Sequence, residues 1–127
     1  MKTTNLSRKL LFIAVCVCAI CLTGCKLTKS QAVVNVKVTK LGIPQSGVTV
    51  CQHGENFAKG ITGKLFADEM IITESDGVAS FDIKGATFGF DDKVTLYFVV
   101  YDDSNNIKAQ IGTTVRKGEE KNIDLKL

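Results

Sequence analysis

Ala32-Val33-Val34-Asn35-Val36-Lys37-Val38-Thr39 decides how this chain folds. Ala32, Val34, Val36 and Val38 fall on one side of an extended backbone. Val33, Asn35, Lys37 and Thr39 fall on the other. A period of two marks a strand with one face on a core and the other on water.

The same pattern recurs downstream. Gly42-Ile43-Pro44-Gln45-Ser46-Gly47 is a turn that holds the chain's single proline. Val48-Thr49-Val50-Cys51 starts a second strand. Met70 to Thr73 is another, and Glu74-Ser75-Asp76-Gly77 turns the chain into Val78–Lys84, where Ala79, Phe81 and Ile83 share a face. Gly85 to Asp92 reads as a loop holding Phe88 and Phe90. Val94 to Tyr101 is apolar on both faces, so it is central or has a covered outer face. Ile107 to Val115 alternates again, Arg116-Lys117-Gly118-Glu119 reads as a hairpin turn, and Ile123, Leu125 and Leu127 close the sheet. Helical periodicity is absent from all of this. The expected class is all-β: an antiparallel, Ig-like sandwich of about seven strands.

Upstream of Ala32 the chain changes character. Lys2, Arg8 and Lys9 precede an uncharged apolar run, Leu10 to Leu22. The run is shorter than the roughly 20 residues a membrane-spanning helix needs. It ends at Leu22-Thr23-Gly24-Cys25, which resembles the bacterial lipobox. That resemblance implies cleavage before Cys25, a diacylglyceryl thioether on its sulfur and an added N-acyl chain. More than one chain is what stable anchoring requires. The expected division is a signal peptide over 1–24, a lipidated tether over 25–31 and a sandwich domain over 32–127. The expected location is the bacterial cell envelope, and Lys26 after the cysteine suggests the outer membrane; which face the domain occupies is left open.

Composition agrees. The chain has 16 basic and 13 acidic residues, and Lys2, Arg8 and Lys9 account for the excess. The span Cys25–Leu127 is therefore neutral and lacks the basic face that nucleic acid would need. Of the five cysteines, Cys16, Cys18 and Cys21 leave with the signal and Cys25 is acylated. Cys51 then has no intramolecular partner, and the core alone must hold the domain.

Val36-Lys37-Val38, the turn that follows it, Gly47-Val48-Thr49-Val50, the segment Thr73 to Phe81 and the final run Val115 to Leu125 together resemble the prealbumin-like sandwiches. These are the transthyretin-like, carboxypeptidase-regulatory-like and collagen-adhesin B-type domains. The resemblance implies a spacer, stalk, regulatory module or carbohydrate-associated accessory domain. Some collagen-adhesin B-type domains carry a Lys–Asn isopeptide bond. Lys37 with Asn122 or Asp124 would be the counterparts, but strand parity turns all three outward.

Chemistry-bearing residues are sparse. His53, the single histidine, shares a strand face with Cys51, yet two ligands make no zinc site. Asp76, Asp102 and Asp103, with Asn105, are expected at one end of the sandwich and are the weak calcium candidate, against ordinary turn chemistry. Tyr97 and Tyr101 share a face, and with Phe57 they form the candidate binding patch for an envelope protein or a glycan. The alternative is that loops cover that face. The excursion Gln52 to Asp68, with room for one short strand, is expected to pack Leu65 and Phe66 down and leave Phe57 exposed. No nucleophile–base pair or metal set is present, so the expectation is a binding or accessory module without enzymatic activity or cofactor. The competing expectation is a passive spacer.

Overall fold

The computed structural model describes residues 30–127; the signal segment, Cys25 and most of the tether lie outside that span. Ala32, Val34, Val36 and Val38 are buried and Lys37 is exposed, as the period of two demands. Their strand, β1 (Ser30–Lys40), starts two residues ahead of the expected domain boundary. It turns through Leu41 and Gly42 into β2 (Ile43–Pro44). Then come β3 (Thr49–His53), β4 (Glu69–Ile72), β5 (Val78–Lys84), β6 (Lys93–Tyr101), β7 (Ile107–Arg116) and β8 (Glu120–Lys126).

The strands form two sheets. In the first, β1 lies between β5 and β8, with β2 paired to its far end; in the second the order is β4-β3-β6-β7. All pairings but one are antiparallel. The exception is β1 with β8, parallel from Val33 opposite Glu120 to Thr39 opposite Lys126. The Arg116–Glu119 turn is the cause. It is no hairpin within one sheet, because β7 and β8 belong to different sheets. It carries the chain across the sandwich and delivers β8 at the end where β1 begins.

The core fills the space between the sheets. Val34, Val36, Val38, Phe81, Ile83 and Leu125 from the first sheet meet Val50, Leu96, Phe98, Val100 and Val115 from the second. Phe81 and Phe98 meet at a centroid distance of 5.0 Å. Each such large side chain contributes about 1.5–3 kcal/mol when fully buried. Gly77, at φ +79, sits where an added Cβ would lie 2.9–3.0 Å from Pro44, Gln45 and the Val38 carbonyl.

Three single turns interrupt the strands: α1 (Glu55–Ala58), a 3₁₀ turn (Lys64–Phe66) and α2 (Gly85–Phe88). Two of them occupy the excursion in place of the expected short strand. Turns of three or four residues are too short to show a helical period.

The two ends of the sandwich differ in what they gather. At one, Gly118 N–H donates to the Gln31 carbonyl, Val33 N–H to that of Glu119 and Lys117 N–H to that of Asp92. At the other, Val38 N–H donates to Gly77, and Leu127 N–H to Thr39. β1 runs between them; its 11 residues span about 33 Å.

Candidate binding face

The outer face of the second sheet is where the candidate residues meet. Cys51 and His53 of β3 lie beside Tyr97, Val99 and Tyr101 of β6; His53 is directly opposite Tyr97, and Cys51 opposite Val99. The excursion leaves β3 after His53, crosses this face and returns, where Asp68 N–H donates to the Gln52 carbonyl. Beneath it Cys51, Val99 and Tyr101 form a second small core, with Phe57, Ala67 and Tyr97 packed on it. Both readings of β6 therefore hold at once: it is central, and its outer face is covered.

Phe57, Tyr97 and Tyr101 are thus brought together, but under a cover. Tyr101 is buried, and Phe57 and Tyr97 are half-buried. The expected exposure of Phe57 and burial of Leu65 and Phe66 are reversed: Leu65 is 94% and Phe66 61% exposed. The reason is local. α1 turns the Phe57 ring between His53 and Tyr97, at centroid distances of 5.1 and 5.2 Å. The 3₁₀ turn aims Leu65 and Phe66 outward, and only the backbone of Phe66 engages the face.

A polar relay ties the cover down. Gly63 N–H donates to Tyr101 Oη at 2.9 Å, and Tyr101 Oη lies 2.8 Å from His53 Nε2. The backbone of Phe66 faces the same imidazole and works to hold its pKa up. Gly63 is at φ +112, and a Cβ there would lie 2.9 Å from Asn105 Nδ2. Gly112, opposite Tyr97, leaves room for the ring: a Cβ would meet it at 3.0–3.1 Å. The sequence signal for Gly112 is an isolated glycine inside an alternating strand, which marks a close approach. Gly63 carries no comparable signal, because glycines are common in the excursion.

Burial sets the charge states. Desolvation lowers the pKa of His53, against the opposing pull of the Phe66 carbonyl and Asp68, and keeps the imidazole neutral near pH 7. Desolvation raises the Cys51 thiol, with Lys64 acting weakly the other way. It raises the Tyr101 hydroxyl too. A protonated, buried thiol is a poor nucleophile, and His53 Nε2 is already engaged by the Tyr101 hydroxyl. The arrangement is that of a packed support.

The aspartates serve turns. Asp76 Oδ1 accepts from Val78 N–H, and Asp102 Oδ1 from the amides of Ser104 and Asn106. Among the described residues no three of His, Cys, Asp and Glu group to hold a metal. Lys64 and Lys108 line the same cleft as Asp102 and Asp103, where their charges oppose a cation. Outside the first sheet, Asn35 Nδ2 donates to Asn122 Oδ1 at 2.8 Å, and Ser80 Oγ donates to Asn35 Oδ1 at 2.7 Å. Lys37 and Asp124 are paired in register and exposed.

Comparison with protein-family models gives no match, and comparison with curated proteins gives none.

Proposed function

We propose that this chain is an envelope lipoprotein, anchored through Cys25, whose prealbumin-like sandwich binds a partner protein at the end of the domain far from the anchor. One observation carries the choice of surface. Leu41 is 92% exposed at the tip of the β1–β2 turn and adopts φ +52, with Gly42 at φ +80 beside it. Two-residue turns of that shape favour Asn-Gly. A branched side chain in the left-handed region costs about 1–2 kcal/mol. Ile43, next to it, is 64% exposed. Leu41 lowers the stability of the domain and is almost fully exposed among the described residues, which supports a contact with a partner.

Supporting the anchor are the apolar run Leu10–Leu22 and the Leu22-Thr23-Gly24-Cys25 motif. A protein partner is preferred over a glycan because the surface that carries the choice, Leu41 with Ile43, is aliphatic and offers no aromatic ring for a sugar to stack on. The test is a photocrosslinking residue placed at position 41 in living cells, with exposed position 82 on β5, paired with Val33 toward the opposite end, as the control. A discrete crosslinked species at 41 and none at 82 is expected. Its absence would return the domain to a passive spacer.

A further inference from the structure

We infer that the anchored end of the sandwich is a membrane-contact surface, with Phe90 seated among the lipid headgroups. The inference rests on the lipid anchor proposed above.

Phe90 is fully exposed, at 107% of its reference area. It does not hang from a loose loop. Phe88, two residues before it, is buried, Asp91 N–H donates to the Phe88 carbonyl at 3.0 Å, and Lys117 N–H donates to that of Asp92 at 2.9 Å. The fold therefore holds an apolar ring in solvent on a fixed base.

Its position matters as much as its exposure. Ser30, the first residue of β1, is paired with Lys84, the last of β5, and α2 follows at once. Phe90 thus projects from the end of the sandwich where the tether enters. Cys25 precedes Ser30 by five residues, a reach of at most about 18 Å at roughly 3.6 Å per residue. An acylated Cys25 keeps that end within about 18 Å of its lipid, close enough for Phe90 to reach the headgroups.

Charge defines the surface further. Lys84, Lys93, Arg116 and Lys117 gather at this end against Asp91, Asp92, Glu119 and Glu120. An adjoining open cleft of about 550 Å³ is lined by Glu55, Asp91 and Lys93. Both signs occur side by side, which suits the phosphate and ammonium of a zwitterionic headgroup. An aromatic ring among mixed charges is what a bilayer interface accepts. Without the anchor, one ring is too small a contact to hold the domain.

The chain has no tryptophan, so F90W places a single reporter at the site. Full-length acylated protein is reconstituted into phosphatidylcholine vesicles, with or without bromine on the acyl chains, and a matched L41W variant reports the far end. The F90W emission should shift to the blue and lose roughly half its intensity to bromine, as a side chain seated ~5–10 Å into the interface requires. L41W should do neither, and added anionic lipid should change nothing. Unquenched F90W on vesicles that retain the acylated protein overturns the inference and leaves the anchor standing. Equal quenching of L41W overturns it as well, because the domain would then lie on its side. Absence of acyl mass on Cys25 overturns both readings.

Discussion

The Tyr101 hydroxyl lies 2.8 Å from His53 Nε2, a buried bond between residues 48 positions apart. It joins adjacent strands of one sheet, and through Gly63 it also holds the segment that covers them. Tyr101→Phe keeps the ring but leaves the Gly63 amide and the imidazole nitrogen unpaired. A loss of about 1–3 kcal/mol is expected. Urea unfolding measures it, and faster hydrogen exchange at the Gly63 amide should accompany it.

The same histidine makes stability depend on pH with a defined sign. Its folded pKa lies below the ordinary value of 6.5. The unfolded chain therefore takes up the proton first as pH falls. His53 contributes in full above about pH 6.5, and the contribution is lost as pH drops from there towards the folded pKa. Urea midpoints at pH 8 and pH 5.5 should differ more for the native chain than for His53→Gln. No other histidine confuses the comparison, since the chain has one.

Phe57 and Phe66 separate the covering role from mere apolarity. Phe57→Ala removes a half-buried ring from between His53 and Tyr97 and should cost about 2–3 kcal/mol, somewhat below a fully buried phenylalanine. Phe66→Ala removes an exposed ring and should stay within about 0.5 kcal/mol of the native chain. Paired melting curves decide it; equal losses would contradict the packing described.

Leu41→Asn should raise stability by about 1 kcal/mol, because asparagine tolerates the left-handed region that leucine resists. Thermal unfolding reads the gain. The same variant should lose the crosslinked species obtained from its neighbour at position 43.

Cys51 should resist thiol reagents in the folded domain and react once urea opens it. Its burial and raised pKa both withhold the thiolate. Labelling at the rate of a free cysteine in the native state would show that the cover opens readily.

Local alternation makes β1, β5 and β7 legible in the sequence, because strand parity is written into adjacent residues. The parallel placement of β8 is not. It depends on whether Arg116–Glu119 stays in one sheet or crosses to the other, and glycine and charge in a turn do not distinguish these. Tyr97 and Tyr101 were readable as one face, and the cover over them was readable as an alternative. Which phenylalanine does the covering was not readable. Phe57 has polar neighbours and Phe66 has apolar ones, yet a single helical turn and the gap over Gly112 decide the outcome. His53 looked like half of a metal site; its partner is a tyrosine hydroxyl that local spacing could not reveal.

The parallel pairing of β1 and β8 has a mechanical consequence. A pull between the chain ahead of Ser30 and the tip at Leu41 runs along β1 from end to end. β1 is bonded on one side to β5 and on the other to β8 over seven residue pairs. Such a load acts in shear, so the bonds of both ladders resist together instead of opening one at a time like a zipper. The remaining strands lie outside the line of force, and tension on the tip would leave the covered face of the second sheet undisturbed.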